Sequence, residues 1–268
     1  MADYPFLKGH GTENDFVLLP DHDGAIHGDL SAARVRALCD RRAGIGGDGV
    51  LRVVRRDDRW FMDYRNADGS VSEMCGNGIR VLARHLVEEG LADPARPLEI
   101  DTRDGVKVLT FDGDLVTVDM GTPKVLGETK VGVAGRTWAA THVDLGNPHA
   151  VAFVDSLDQV GHLLEPPTHD PATYPSGVNV EFVVRRGARH VAMRVHERGS
   201  GETRSCGTGA CAVMVAAAVL DGVTGPPAED LAYRVDVPGG TLTVTWTADD
   251  RVLLTGPAVV VARGTTTL

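Results

Sequence analysis

No Cys-x-x-Cys pair occurs in this 268-residue chain, and its four cysteines, Cys39, Cys75, Cys206 and Cys211, form no close set with histidines. Those absences exclude a disulfide scaffold and a zinc site, and point to reduced thiols in a reducing compartment, the cytoplasm. A cluster of lysines and arginines is missing too. With a net charge of −10 and a sequence pI of about 5.4, neither a nucleic acid nor an anionic membrane is an expected partner. Long apolar runs are also absent: the longest, Ala210 to Leu220, falls well short of the roughly 20 residues a membrane span needs. The polar stretch Met1 to Pro20, with His10, Glu13, Asn14 and Asp15, does not read as a signal peptide. Lysines are few and none sits in a recognisable pyridoxal phosphate site, so no cofactor is expected, and no metal. At 43% hydrophobic and 24% charged, the chain has enough apolar mass for one large domain or two modest ones.

What the chain does have is one short stretch twice. Met74-Cys75-Gly76-Asn77-Gly78-Ile79-Arg80 is echoed 131 residues on (75 to 206) by Ser205-Cys206-Gly207-Thr208-Gly209-Ala210-Cys211. In each copy a Cys-Gly-x-Gly turn opens an apolar helical run, Ile79 to Glu89 and Ala210 to Leu220. A cysteine there meets unpaired backbone N–H groups and the positive end of the helix dipole, which favour an anion. That placement predicts a thiol acidified from about 8.5 to roughly 3.5–7.5.

The order of elements repeats around these turns. In the first half a polar turn, His10 to Asp15, precedes a strand at Phe16 to Leu19, and Ser31 caps a helix to Arg42. Gly44 to Gly49 fits GxGxxG by letter, but it lies between a helix and a strand, the reverse of a dinucleotide fingerprint, and reads as a flexible loop. A strand Val50 to Val54 follows, then a hairpin of Trp60–Asn66 and Val71–Met74 about Asp68-Gly69, and after the first cysteine helix two strands within Leu98 to Met120. Gly121-Thr-Pro-Lys124 marks a junction. Beyond it come strands near Trp138–Leu145 and Ala150–Val154, a helical segment near Leu157–Leu164 and a proline-rich loop, Glu165 to Ser176. Strands Val180–Val184 and His190–His196 then lead to the second cysteine turn and helix, and strands within Tyr233–Thr247 and Val252–Val261 close the chain. The expected architecture is α+β: two pseudo-symmetric domains, each a curved mixed or antiparallel sheet around a central helix. The second helix is apolar all round and is expected to be buried inside its half.

Two acid/base groups on opposite sides of a carbon bearing hydrogen can invert it, one removing a proton and the other returning one. Cys75 and Cys206, one per half, suit that chemistry, whereas Cys39 and Cys211 read as small buried hydrophobes. Neutral donors and acceptors on loops (Asn14, Asn66, Asn147-Pro148-His149, Asn179) and the pair Glu197-Arg198 suit a zwitterionic small molecule. The residues alone leave open an anion-binding module without chemistry, and a thiol–disulfide redox protein, which the lack of Cys-x-x-Cys disfavours.

The ordered set His10-Gly-Thr-Glu-Asn-Asp-Phe16, Asn66-Ala-Asp-Gly69, Met74 to Arg80, Asn147-Pro-His149, Glu197-Arg-Gly199 and Ser205 to Ala210 resembles the diaminopimelate epimerases, over essentially the whole chain. The resemblance implies cofactor-independent interconversion of LL- and meso-diaminopimelate on the lysine and peptidoglycan-precursor pathway. It also implies two similar domains closing over substrate in a cleft, residues 1–120 plus about 253–268 carrying Cys75 and 121–252 carrying Cys206, with dimerisation left open. By match to the family, Cys75 and Cys206 are the acid/base pair. Gly76, Asn77, Gly207 and Thr208 hold the reacting carboxylate and amine. Asn14, Asn66, Asn147, Asn179, Glu197 and Arg198 are substrate-binding positions, and His149 and Glu197 support the reacting centre. Gly49 departs from members with a substrate-contacting Gln there, and Glu13 from members with Gly. A racemase for proline, hydroxyproline or histidine is the nearest alternative.

Overall fold

The structure of the protein is a computed structural model in which residues 3–268 are described. The chain divides into two units, Met1–Val118 with Gly256–Leu268, and Asp119–Thr255.

The first unit runs β1 (Tyr4–Gly11), β2 (Asn14–Pro20), α1 (Ala32–Cys39), β3 (Gly49–Arg56), β4 (Arg59–Asn66), α2 (Gly76–Glu88), β5 (Leu98–Thr102), β6 (Gly105–Asp112) and β7 (Leu115–Asp119). Neighbouring strands pair in chain order, antiparallel except for the parallel steps β2–β3 and β4–β5. β1 and β2 form a hairpin turned by Thr12 and Glu13 alone, at φ 48° and 61°. Positive φ at both central residues is the turn geometry that matches strand twist. The polar turn expected over His10–Asp15 is therefore shorter, and Asn14 becomes the first residue of β2, only 7% exposed.

Period-two alternation divides β2 and β3 between two helices. Val17, Leu19 and Val50 pack with Val35 and Leu38 of α1. Phe16, Leu18 and Leu51 point the other way, and Leu51 lies under the first turn of α2. Burial on both faces is why Phe16–Leu19 and Val50–Val54 read as unbroken apolar runs. Two expectations are corrected in this unit. Val71–Met74 is not a strand: Val71 makes a single bridge to Arg65, and Asp68-Gly69 lies in a loop closed by Asn66 N–H to the Ser70 carbonyl. β4 instead pairs with β3. The loop Gly44–Gly49 is not flexible: the amides of Gly44, Ile45, Gly46, Gly47 and Asp48 all donate to backbone carbonyls, of Asp40, Leu38, Leu38, Cys39 and Asp15.

The second unit runs β8 (Lys124–Val133), β9 (Arg136–Asp144), β10 (Pro148–Phe153), a 3-10 turn (Leu157–Val160), β11 (Thr168–His169), β12 (Asn179–Gly187), β13 (His190–Glu197), β14 (Gly201–Thr203), α3 (Gly207–Leu220), β15 (Leu231–Val237), β16 (Gly240–Trp246) and β17 (Val252–Pro257). The helical segment expected over Leu157–Leu164 is this one turn, ended at Gly161 (φ 56°). β8 and β14 were not expected; β8 is largely exposed on alternate and successive residues, so it carries no burial pattern to read. α3 packs against β9, β10, β12, β13, β15 and β16, and Gly209 through Ala218 are all buried. Ala210, Ala212 and Ala216–Ala218 keep much of the helix slim, so strands pack close around it, and no polar side chain from Gly209 on needs a solvent-facing side. The last strand, β18 (Val259–Thr266), belongs to the first unit and pairs antiparallel with β1, Tyr4 opposite Thr266.

One buried side chain makes the stability of the first unit pH-sensitive. His85 of α2 is 2% exposed, neither ring nitrogen has a hydrogen-bond partner among the described residues, and burial holds its pKa down at about 4, against the pull of Glu89. The folded pKa lies below the unfolded value of about 6.5, so between the two the unfolded state binds more protons and stability falls as pH falls. The expected loss is about 2 kcal/mol between pH 7.5 and pH 5. Denaturant midpoints at the two pH values check it. A His85→Leu variant that keeps the whole pH dependence would assign the effect elsewhere.

Candidate active site

Cys75 and Cys206 occupy the same local position in the two units. Each is the N-cap of its helix, at φ −143°, ψ 116° and φ −123°, ψ 119°. Each sulfur accepts the third amide of the helix, Gly78 N–H and Gly209 N–H, both at 3.4 Å. A sulfur in the cap thus sits beside the first-turn residues, Gly76-Asn77 in one unit and Gly207-Thr208 in the other, at the helix end where an anionic group is favoured.

Around Cys75 the key side chain is Asn14. Its Oδ1 lies 3.7 Å from Cys75 Sγ and 3.2 Å from Asn77 Nδ2, while its Nδ2 donates to Asp48 Oδ2 at 2.8 Å. Asp48 also accepts Asp15 N–H and, with Asp15, takes both arms of Arg41. Burial would raise the Asp15 carboxyl, but its hydrogen bonds to Arg41 and Lys8 hold it well below the usual carboxylate range. Burial, and then the Asp15 charge, push Asp48 upward. Asn77 is fully buried, its Oδ1 held by Arg80, which also donates to the Gly76 carbonyl. Asn66 sits at the end of β4 opposite Gly49, with its amide on Ser70 Oγ at 3.0 Å. At Gly49 a Cβ would lie 2.5 Å from the Arg65 carbonyl and 2.7 Å from the Tyr64 ring, so the packing itself excludes a side chain there.

Around Cys206 the polar groups are denser. Its sulfur lies 3.5 Å from Thr208 Oγ1, and the nearby Glu197 carboxylate, which accepts the Thr203 hydroxyl, acts on it by charge. Asn147 Nδ2 donates to Thr208 Oγ1 at 3.3 Å, and Asn147 Oδ1 is 3.0 Å from His149 Nε2. His149 Nδ1 lies 2.6 Å from Glu181 Oε1, both side chains being wholly buried. Asn179 donates to the Pro148 carbonyl and accepts the Arg198 amide at 2.9 Å, and the exposed Arg198 guanidinium bonds the Ser176 carbonyl. The acidified thiol expected at a helix start is corrected for Cys206. Burial, then the Glu197 and Glu181 carboxylates, push its pKa well above the usual thiol value, outweighing the Thr208 and Gly209 hydrogen bonds. Cys206 therefore rests as S–H, a proton donor. Burial likewise raises Cys39, to about 11, and Cys211 is buried within α3.

The expected residues are thus gathered in two sets, Asn14, Gly76 and Asn77 at Cys75, and Asn147, His149, Glu197, Gly207 and Thr208 at Cys206. Asn66 is tied to its own turn, and Asn179 and Arg198 to each other. Three side chains that hold these sets in place went unread in the sequence: Asp48, Arg80 and Glu181. Asp48 lies in the glycine loop set aside as flexible, whereas Glu181 did leave a signal, one acidic residue in the otherwise apolar Val180–Val184.

The profile of the family described as diaminopimelate epimerase matches the chain twice, over residues 6–126 and 141–261. A diaminopimelate epimerase of Streptomyces coelicolor is 58% identical, across 97% of this chain and 94% of the relative. One from Thermobifida fusca is 48% identical, across 97% and 96%. Among solved structures, a PhzF-family phenazine biosynthesis protein of Bacillus anthracis shares the fold at TM-score 0.74 and 15% identity over the full length of both chains. A hydroxyproline epimerase from Agrobacterium vitis does so at 0.66 and 16%, over 99% of this chain and 91% of that one. At those identities the structures establish the fold, and the sequence matches settle descent: the chain belongs to the diaminopimelate epimerase family.

Proposed function

We propose that this protein interconverts LL- and meso-2,6-diaminopimelate without a cofactor, using Cys75 and Cys206 as a two-sided acid/base pair, one thiol from each unit. The observation that carries the mechanism is the pair of N-capping sulfurs in matched geometry with unlike surroundings. Cys206 is kept as S–H by burial and two carboxylates, so it suits the acid; Cys75, half-exposed beside neutral amides, suits the base. In that reading Cys75 thiolate takes the α-proton, the C–H electron pair moves into the substrate carboxylate, and Cys206 S–H protonates the opposite face of the carbon. The reverse reaction exchanges the roles.

An α-hydrogen is far less acidic than a thiol, so the carbanion needs strong stabilisation. First-turn amides at Gly76-Asn77 and Gly207-Thr208 supply preorganised donors for the developing charge. Asn14, held by Asp48, and Asn147, held by His149, fit contacts to the reacting amino-acid end. Asn66, Asn179 and Arg198 fit the distal amino-acid end, while Glu197 stands beside the Cys206 sulfur. The same reading places the enzyme in lysine and peptidoglycan-precursor synthesis, in the cytoplasm, where its free cysteines stay reduced, and as a homodimer. No helix among the described residues is long and apolar enough to cross a membrane.

The test is proton NMR of each diaminopimelate isomer in D2O with reduced enzyme and nothing added. Loss of the α-proton signal together with interconversion supports the proposal. Folded, reduced protein that exchanges neither isomer would sink the substrate assignment.

A further inference from the structure

Glu181 is a buried group that the family resemblance does not name, and whose contacts the mechanism above leaves unexplained. Its side chain is 0% exposed; Oε1 lies 2.6 Å from His149 Nδ1, and Oε2 has no hydrogen-bond partner among the described residues. A buried carboxylate left half-satisfied costs stability, which a purely structural position avoids with an apolar residue. The first unit shows that apolar solution. There the second glycine of the Cys-Gly-x-Gly turn, Gly78, faces the Leu51 side chain of β3, at 3.1 Å from a would-be Cβ. In the second unit the matching Gly209 faces Glu181 of β12, whose Oε1 would sit 2.8 Å from such a Cβ, with Cys206 Sγ at 3.3 Å. Strand and helix start are packed alike, and leucine suffices in one unit. The carboxylate in the other is therefore not demanded by packing.

What Glu181 touches gives its role. β10 and β12 are parallel neighbours with His149 opposite Asn179 and Val151 opposite Glu181, so Glu181 shares the face on which His149 projects. The contacts then run from Glu181 to His149 (2.6 Å), to Asn147 (3.0 Å), to Thr208 (3.3 Å) and to Cys206 Sγ (3.5 Å). Both ring nitrogens of His149 are thus tied to oxygens, Nδ1 to Glu181 Oε1 and Nε2 to Asn147 Oδ1.

We propose that Glu181 is a positioning residue of the Cys206 half-site, acting on the sulfur through His149, Asn147 and Thr208 and not on substrate. Its carboxylate fixes the ring orientation and hydrogen-bond direction of His149, as the carboxylate that orients a catalytic histidine does. Its charge also helps keep the Cys206 proton in place, alongside Glu197 from β13. The inference rests on the acid/base reading of Cys206 given above, so its test includes an arm that needs no substrate.

In that arm, full-length Glu181→Gln and Glu181→Leu enzymes are alkylated with iodoacetamide from pH 6.5 to 10, and Cys206 and Cys75 labelling is resolved by peptide mass spectrometry. Glutamine keeps an acceptor for His149 without the charge, and leucine copies the Leu51 packing. The expected result is Cys206 labelling at pH 8 at least about fivefold faster in both variants, with the midpoint moved to lower pH and Cys75 labelling unchanged. In the kinetic arm, Glu181→Gln is expected to lower kcat for diaminopimelate about 10²-fold or more with KM changed less than about threefold. An unchanged Cys206 labelling profile in whichever variant folds overturns the proposal, whatever substrate the enzyme takes. A wild-type enzyme inert to diaminopimelate, with the Cys206 profile still shifted in the variants, would remove the substrate reading and leave Glu181 in its role.

Discussion

Replacing either Cys75 or Cys206 with serine is expected to cut kcat by at least about 10³-fold while leaving the protein folded. A positioned acid or base contributes typically 10²–10⁴, and a serine hydroxyl is too weak an acid to stand in as either thiolate or proton donor. Stability should survive because both cysteines are N-caps, with sulfurs that accept Gly78 N–H and Gly209 N–H at 3.4 Å. Serine is a preferred residue at that position. The two variants should also differ from each other. With Cys206→Ser, the remaining Cys75 thiolate can remove and return a proton on its own face, so in D2O one isomer loses its α-proton signal without inverting. With Cys75→Ser the other isomer should be the one that exchanges, and more slowly at neutral pH, because Cys206 is held as S–H. Kinetics of both directions, α-proton NMR and a thermal melt decide the matter together. Serine variants that keep full turnover would leave an anion-binding pair of helix starts with no acid/base role.

The duplicated Cys-Gly-x-Gly turn was legible in the sequence because it is a local device: a capping residue, a glycine close to a neighbouring strand and the start of an apolar run all lie within seven residues. The all-round burial of α3 was legible for a similar reason, since Ala210 to Leu220 leaves no polar face. What failed depends on distant partners. Asp48 matters because the Gly44–Gly49 loop is pinned along its length and delivers that carboxylate to Asn14, a contact 34 residues back in the chain. The acidity of Cys206 was misjudged because the helix start, visible in sequence, is outweighed by burial and by Glu197 and Glu181 from two neighbouring strands. Composition likewise could not show that Val71–Met74 meets β4 at only one bridge, Val71 to Arg65, since a hairpin signal at Asp68-Gly69 specifies a turn but not a second strand.

Replacing Arg198 with methionine is expected to raise KM for diaminopimelate by about 10- to 100-fold, with kcat changed by less than about tenfold. A hydrogen bond to a charged partner contributes about 1.5–3 kcal/mol, and a guanidinium fork on a carboxylate is the stronger form of it. Arg198 is exposed at the end of β13, its backbone anchored by Asn179 and its guanidinium by the Ser176 carbonyl, while its stem runs alongside Gly177. Methionine keeps much of that stem and removes only the charge and the donors, so the thermal midpoint should stay within a few degrees. Arg198→Lys should recover part of the loss, since it restores charge without the planar fork. This measurement separates diaminopimelate, with a second amino-acid end to hold, from a monocarboxylic substrate such as proline, which has none. A KM within about threefold of wild type would place the distal carboxylate elsewhere and return the choice of substrate to the smaller amino acids. A large rise in KM, rescued in part by lysine, would mark Arg198 as the group that reads the far end of the molecule.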